Sequence, residues 1–146
     1  MPSSHLTFEN PASLFDPSPF GFSHVSIVEP PTRLIYTAGQ VAIDQKGQVP
    51  ETFDEQVRMV FDSIKACLAE GGASLEDIVN LTVYVVDYET NSNAVQLVTE
   101  MLTLSSGKVH RPPTAVIPVP MLAVPQGKVE ITAVAAVPTS TADQRL

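Results

Sequence analysis

The stretch from His110 to Val137 constrains the fold of this chain more than any other, because it combines prolines, a tight turn and one isolated carboxylate. It reads HRPPTAVIPVPMLAVPQGKVEITAVAAV, which is a proline-locked cationic turn, an apolar segment, a Gln-Gly turn and a closing strand. Glu130 is the single acid in that last strand. Such a residue either faces solvent by the two-residue alternation of a strand or is placed for a function. The stretch therefore predicts two strands and one candidate site.

Length and charge exclude several classes of protein. A chain of 146 residues with 44% hydrophobic content can form one domain with its own core. Its single cysteine, Cys67, lies on an apolar helical face, so we expect it in the core and not as a nucleophile. A formal net charge of −8, with the cations scattered along the chain, argues against nucleic acid as a partner.

Signals for a membrane, a metal or a cofactor are missing from the sequence. No apolar run reaches the length of about 20 residues that a membrane span needs, and the N-terminus lacks a signal-peptide pattern. We therefore expect a cytoplasmic protein that does not associate with membranes. The spacing of cysteine and histidine suggests no zinc site, and no glycine-rich phosphate loop is present, so neither a metal nor a cofactor is expected.

The first third of the chain reads as an arm followed by two strands. Residues 1–19 contain four prolines among polar residues, and we expect an extended, unpacked arm that lies on the domain or on a neighbouring subunit. Residues 20–28 and 34–40 have strand character, and their spacing predicts a β-hairpin.

The remainder alternates between helical and strand patterns. From Glu51 to Gly71, apolar residues recur at intervals of three and four, which predicts a helix. Residues 81–86 read as a strand, 91–104 as a second amphipathic helix and 110–137 as two more strands. We predict one α+β domain over residues 20–137, of order β-β-α-β-α-β-β, and a flexible tail at 138–146.

The predicted sheet leaves one face without a cover. Two amphipathic helices are expected on one face of a single mixed sheet. The strand at 81–86 is apolar on both faces, so the second face also needs a cover. A chain of this length has no third layer, and we therefore expect a homo-oligomer in which another subunit lies on that face.

Several short segments, taken in order, resemble the Rid/YjgF family, whose older names include endoribonuclease L-PSP. They are Thr37-Ala-Gly-Gln40 with the polar turn after it, the strand end Thr-Val-Tyr-Val-Val-Asp87, and the final strand Val-Glu130-Ile. The resemblance implies a chorismate-mutase-like fold that trimerises so that the sheets form a central barrel, with ligand clefts between subunits. It also implies metal-free enamine/imine deaminase chemistry, in which 2-iminoacids are hydrolysed to 2-oxoacids and ammonia.

The resemblance assigns three catalytic candidates. Glu130 matches the acid with which the family holds the attacking water. The family's carboxylate-clamping arginine falls at Ala115 here, and Arg111 is the cation that would replace it from a shifted register. His24 stands where the family has glutamine and could protonate a leaving amine. Each also has a structural interpretation: an exposed strand position, a solvated turn cation and a histidine that only makes structural hydrogen bonds.

Six further residues are expected to line the cleft. Phe22 replaces a family tyrosine, Gly39 allows the backbone to approach a ligand closely, and Gln40 forms a hydrogen bond across a subunit boundary. Tyr88 is an aromatic residue of the cleft or of the core. Ala115 and Ile117 lie on the strand after the proline turn.

The sequence leaves open whether the chain is an enzyme. The leading interpretation is a Rid-family protein whose inter-subunit clefts take a small molecule and act as a metal-free imine/enamine deaminase. One alternative is a non-catalytic ligand-binding or chaperone-like member. Another is a Rid scaffold recruited for a different reaction on a less polar substrate, which would suit Ala38, Ala115 and Val116 in the cleft.

Overall fold

A computed structural model describes residues 5–140; the tail predicted at 138–146 therefore lies mostly outside the described residues, as does the start of the arm. Two short 3-10 turns, Ser18–Phe20 and Leu75–Asp77, accompany the regular elements. The strands and helices, in chain order, are β1 Leu6–Glu9, β2 Val25–Val28, β3 Thr32–Tyr36, β4 Gln40–Val41, α1 Phe53–Glu70, β5 Ile78–Val86, α2 Ala94–Met101, β6 Thr114–Val119 and β7 Val129–Pro138.

Five strands form one mixed sheet, in the order β3-β7-β5-β6, with β4 also paired to β7. The β5–β6 pair is parallel, and the pairs that β7 makes with β3, β4 and β5 are antiparallel. The α+β class, the mixed sheet and the two helices predicted from sequence are confirmed.

The hairpin predicted between residues 20–28 and 34–40 is wrong. Strand β2 pairs instead with β1 from the arm, in a separate two-stranded sheet, while β3 pairs with β7 near the other end of the chain. The arm, which from here on means residues 5–24, thus contributes a strand, although its prolines suggested an unpacked segment. Local spacing does not decide which strand pairs with which, because pairing depends on burial partners far away in the chain.

Helix α1 begins with a complete capping box. Thr52 Oγ1 accepts a hydrogen bond from the Glu55 backbone N–H at 3.2 Å, and the Glu55 carboxylate accepts one from the Thr52 backbone N–H at 3.4 Å. The helix then buries one face that includes Val57, Phe61 and Ile64, and it ends at Gly71. Periodicity and end signals therefore placed this helix within two residues of its observed bounds.

The core lies between the helices and one face of the sheet. Alternate residues of the two central strands point into it and are fully or almost fully buried. These are Leu81, Val83 and Val85 of β5 and Val129, Ile131 and Ala133 of β7. The intervening residues therefore point to the opposite face, which no helix of residues 5–140 covers.

Buried Gln56 connects α1 to the loops at one end of the sheet. Its amide nitrogen donates to the carbonyl oxygens of Pro50 at 2.8 Å and Gln126 at 3.0 Å. Its side-chain oxygen accepts from the Lys128 backbone N–H at 2.8 Å. Because Gln56 is wholly buried, these bonds replace the water that its amide loses on folding, and they fix the start of β7.

Candidate functional site

The uncovered face of the sheet is largely apolar and bears one carboxylate. Leu34 is 49% exposed and Tyr36 is 71% exposed on β3, and Ile117 is 39% exposed on β6. In the middle of this face, Tyr84 of β5 is paired with Ile117 on one side and with Glu130 of β7 on the other. The strand register therefore sets Ile117, Tyr84 and Glu130 in one row across the sheet.

Glu130 packs against the backbone of Gly39. A methyl group placed on Gly39 would lie 2.0 Å from Oε1 of Glu130. The segment before Gly39 is held to β7, since the Thr37 hydroxyl accepts from the Ala133 N–H at 3.0 Å and the Thr37 N–H donates to the Ala133 carbonyl at 3.0 Å. Gln40 donates from its side chain to the Ala38 carbonyl at 3.2 Å. This loop thus leaves just enough room for the half-buried carboxylate.

Within the described residues, neither a hydrogen bond nor an ion pair engages the Glu130 carboxylate. Both of its oxygens are therefore available as acceptors for a water molecule or a ligand N–H. A half-buried carboxylate on an otherwise apolar surface gains from such a partner, since it has given up part of its hydration. The arrangement is chemically suited to holding one water above the sheet.

Ala115 and Ile117 share the face of Glu130. Ala115 is paired with Thr82 of β5, two residues before the pair that Ile117 makes with Tyr84, and both β6 side chains are exposed. The structure thus brings Ala115, Ile117, Gly39 and Glu130 to one surface. At the position assigned to the family's arginine, this surface presents only a methyl group.

Arg111 lies elsewhere, between the arm and the loop that precedes β6. It borders a small cavity of about 250 Å³ together with Phe22, Ser18 and Lys108. Arg111 Nε is buried, and among residues 5–140 it has no hydrogen-bond partner. Hydrogen bonds from Ser18 lower the pKa of Asp16, and the charge of Arg111 lowers it further. Arg111 and Lys108 therefore bring positive charge to the border of this cavity.

His24 is held within the aromatic residues of the arm. Its Nε2 lies 2.9 Å from the Phe15 carbonyl oxygen, and its backbone N–H donates to the Asn10 side chain at 2.8 Å. Its ring centroid lies 4.9 Å from that of Phe15 and 5.6 Å from that of Phe22, both edge-on. These contacts position the arm; the role of His24 as a proton donor stays a prediction.

The three catalytic candidates do not meet within one chain. Thr114, three residues after Arg111, begins β6, and Glu130 lies two strands across and three residues further along the sheet. Strand geometry puts about 14 Å between the α-carbons of Thr114 and Glu130. Arg111 borders a cavity with Phe22, and the His24 ring packs edge-on against Phe22, so both lie on the arm side of the molecule and not beside Glu130.

Tyr88 stands apart from both groups. It is partly buried against the core, beyond the end of β5, where it borders a shallow surface depression with Asp87, Pro118 and Pro120. Asp87 turns the chain there with φ of 52°, and Asn91 donates to the Val86 carbonyl at 2.7 Å. The packing interpretation of Tyr88 fits these contacts; its place in a cleft stays a prediction.

Sequence reasoning missed an apolar cavity behind β6. The cavity of about 330 Å³ lies between the arm, α2 and the helix-facing side of β6. The available signal was the trio Phe15, Phe20 and Phe22, which is dense for a segment that looked polar and proline-rich.

His110, given no role above, is buried behind the arm. Its Nε2 lies 2.8 Å from the Ile78 carbonyl oxygen, and its ring packs at a tilt on Phe8. Burial lowers the pKa of His110, and the Ile78 carbonyl opposes that shift. The residue is therefore a structural link between β5 and the loop before β6.

Membrane spans and metal clusters are both missing from residues 5–140. No helix there is long and apolar enough to cross a membrane. Nor do three or more His, Cys, Asp or Glu side chains of that part of the chain come together as a metal ion would require.

Comparison with known proteins gives a family match over most of the chain. The family model described as Endoribonuclease L-PSP matches residues 18–137. The Rid-family protein YyfB of Yersinia pestis has a similar solved structure, with a TM-score of 0.79 and 28% identity, covering 91% of this chain and 99% of that one.

Two curated relatives match over shorter segments. A RutC family protein of Pyrococcus abyssi is 46% identical over 57 residues, which are 38% of this chain and 45% of the relative. TdcF of Escherichia coli, named as a candidate reactive intermediate deaminase, is 31% identical over 55 residues, which are 37% of this chain and 43% of TdcF. Each match spans less than half the length of the relative.

Proposed function

This chain belongs to the endoribonuclease L-PSP or Rid/YjgF family, and on that premise we propose that it forms a homotrimer whose subunits share clefts in which an imine or enamine is hydrolysed. The substrate is a small 2-iminoacid or a related compound, and the products are the 2-oxoacid and ammonia. No cofactor is required in this scheme.

The uncovered sheet face supports the oligomer. A monomer in water would expose Leu34, Tyr36 and Ile117 on one surface, and contiguous apolar patches of this kind mark interaction sites. In the proposed oligomer, the arm and Arg111 of a second copy stand near Glu130 of the first. That arrangement answers the separation of these residues within one chain.

The observation that carries the hydrolytic proposal is the position of Glu130. Its carboxylate is half-buried, lies against Gly39 and has no partner within the described residues. In the proposed reaction it accepts a proton from water as the water oxygen bonds to the iminium carbon. Protonated Glu130 then gives this proton to the nitrogen of the tetrahedral carbinolamine. The C–N bond breaks as the oxygen forms the C=O double bond, the hydroxyl proton returns to Glu130 or to water, and ammonia leaves.

Arg111 of a neighbouring subunit is the proposed anchor for the substrate carboxylate. The adjoining Pro112 and Pro113 hold the backbone extended, which presents the side chain rigidly. A guanidinium can donate two parallel hydrogen bonds to a carboxylate, and Arg111 borders a cavity from which it could do so.

The test is turnover of freshly generated 2-iminopropanoate by the wild type and by Glu130→Gln. We expect the substitution to lower kcat by about 100-fold or more, since a positioned general base contributes on that scale. Glu29→Gln, at an exposed turn, is the matched control and should keep wild-type turnover. Equal turnover by wild type and Glu130→Gln would remove the role of Glu130. If the wild-type protein binds an analogue of 2-iminopropanoate but does not accelerate the hydrolysis of 2-iminopropanoate itself, the non-catalytic ligand-binding alternative is supported.

A further inference from the structure

The cavity behind β6 is walled almost entirely by hydrocarbon. Three phenylalanines of the arm close it on one side, two valines of α2 form its floor, and one valine of β6 completes it. These residues are Phe15, Phe20, Phe22, Val95, Val98 and Val116. None of the residues that border it carries a formal charge, so an ionic ligand would lose its hydration there with nothing in exchange.

The polar side chains that border the cavity are those of two threonines, and the hydrogen atoms of both hydroxyls are already used in hydrogen bonds. The Thr99 hydroxyl donates to the Val95 carbonyl at 2.8 Å, and the Thr114 hydroxyl donates to the Pro112 carbonyl at 2.9 Å. Each oxygen can therefore still accept a hydrogen bond but cannot donate one. A ligand that fits this pattern carries an N–H or O–H donor and no charge.

The backbone of the arm lies in direct contact with α2. Gly21 has φ of +79°, and a methyl group placed on it would lie 2.2 Å from Oγ1 of Thr99. The arm backbone therefore rests directly on the helix, which sets Phe20 and Phe22 on either side of the contact. Phe15 packs edge-on against both, with centroids 6.2 Å and 6.1 Å away. The aromatic wall is thus fixed by contacts within the chain.

Size and surface narrow the ligand further. The cavity volume of about 330 Å³ lies at the small end of ligand pockets, which run from about 300 to 1,000 Å³. Phe15 is 61% exposed and Phe20 is 57% exposed, so a ligand would remove apolar surface from water on the protein side as well. Edge-on phenylalanines also favour an aromatic guest.

We propose that this cavity binds a neutral, mainly apolar molecule of one or two rings with a single hydrogen-bond donor, which Thr99 or Thr114 accepts. The site is distinct from the carboxylate surface around Glu130 and does not depend on imine hydrolysis. Phe22 borders both this cavity and the one beside Arg111, so the protein offers a neutral and a cationic pocket on two sides of one ring.

Indole is the probe of choice, because the chain has no tryptophan and indole fluorescence is therefore free of that background. We expect its emission to shift to the blue on titration with the native full-length protein, as it leaves water for an apolar wall. Indole-3-acetate, which adds a carboxylate to the same ring, should bind at least tenfold more weakly. Indene, which has no N–H, should also bind more weakly than indole.

Two variants on α2 locate the site. Val95→Phe places a ring in the cavity and should weaken indole binding at least tenfold. Gln96→Phe adds the same ring at an exposed neighbouring position and should leave binding within twofold. Thermal melts confirm that both variants fold, and Val98→Phe replaces Val95→Phe if the latter does not.

Three results would overturn the proposal. They are no binding of indole by the native protein, binding of indole-3-acetate that is equal or tighter, and unchanged indole binding by the cavity-filling variant. If Glu130→Gln loses turnover but still binds indole, the cavity behind β6 binds its ligand independently of the hydrolytic site, and both proposals are supported.

Discussion

Gly39 and Glu130 are in such close contact that a single methyl group on Gly39 would lie 2.0 Å from Oε1 of Glu130 and 2.9 Å from its Cδ. Gly39 does not have a positive φ, so the requirement for glycine is one of space and not of backbone strain. The residue at position 39 therefore decides where the carboxylate of Glu130 stands.

Gly39→Ala is expected to impair hydrolysis more than stability. The carboxylate is the far end of a flexible side chain and can move aside, so we expect a loss of folding free energy of about 1 kcal/mol or less. In the proposed reaction the same movement takes the base away from the water, and a misplacement on the order of 1 Å can cost about 100-fold in rate. Steady-state kinetics and urea denaturation measure the two effects separately.

The double variant Gly39→Ala/Glu130→Ala is the control for that interpretation. Since the Glu130→Ala background has no carboxylate to displace, Gly39→Ala should cost little stability there, and the four proteins form a double-mutant cycle. If Gly39→Ala proves equally destabilising with and without Glu130, the contact does not explain the glycine.

Both partners of this contact were named from the sequence, but the contact itself was not. The resemblance singled out Gly39 and Glu130 through separate segments, 91 positions apart in the numbering. Their meeting depends on the register of β4 against β7, in which Gln40 is opposite Ile131 and Val41 opposite Glu130. Register is set by burial across the whole sheet, and local composition does not reveal it.

Leu34→Lys tests the cover of the open sheet face. Leu34 is 49% exposed in the single chain, so a lysine there should change the stability of a monomer by about 0.5 kcal/mol or less. If another subunit lies on this face, the ammonium is buried without a partner, which costs several kcal/mol per site. We expect dissociation of the proposed trimer, seen by light scattering at micromolar concentration.

Leu14→Lys is the matched control for the sheet face. Leu14 is 51% exposed in the arm and does not lie on the sheet. Leu14→Lys should leave the mass of the oligomer unchanged. A Leu34→Lys protein that stays trimeric would mean that the open face is not the subunit interface.

Gln56→Leu is expected to destabilise the fold strongly. The substitution keeps the side-chain volume roughly but removes the acceptor of the Lys128 N–H and the donor to the Pro50 and Gln126 carbonyls. Each buried group left unpaired costs about 1–3 kcal/mol, so we expect a total near 3 kcal/mol or above by urea denaturation. Gln96→Leu, on the exposed side of α2, should stay within about 0.5 kcal/mol of wild type. Similar losses for the two variants would contradict the connecting role of Gln56.

The burial of His110 predicts a pH dependence of stability. Burial lowers the pKa of His110 in the folded protein from the ordinary value of 6.5. Below about pH 6.5 the unfolded chain therefore binds a proton that the folded protein does not, and the free energy of unfolding falls as the pH drops. Above that range both states are neutral at this residue and its contribution is constant.

His110→Gln isolates this effect. Glutamine can still donate to the Ile78 carbonyl but does not titrate, so the melting temperature should fall less between pH 7.5 and about pH 5.5 than in the wild type. Parallel melting curves of the two proteins across that range would show that another group is responsible.

The arm shows where sequence reasoning reached its limit. Its prolines and polar residues predict an unpacked segment, yet β1 pairs with β2 from Leu6 to Glu9. His5 also reaches the Ala136 carbonyl at 2.9 Å. Helix α1 could be predicted because its signals are local, whereas these contacts of the arm are with residues distant in the chain.

Gly21→Ala is the sharpest test of how the arm is seated on α2. Alanine at position 21 must adopt φ of +79° and must also push against Thr99 Oγ1, 2.2 Å from the new methyl group. Gly47 has almost the same φ, +80°, with nothing within 4 Å of such a methyl group. Gly47→Ala therefore measures the backbone strain alone, about 1–2 kcal/mol. We expect Gly21→Ala to cost about 1–3 kcal/mol more than that, by the usual penalty for overpacking.

The double variant Gly21→Ala/Thr99→Ala removes the hydroxyl and should recover most of this excess loss of stability. The remaining contact of the new methyl group, to the Thr99 Cβ at 3.4 Å, is of ordinary length. If Gly21→Ala and Gly47→Ala are equally destabilised in urea, the arm can lift away from α2 at no cost and the aromatic wall is not fixed by this contact.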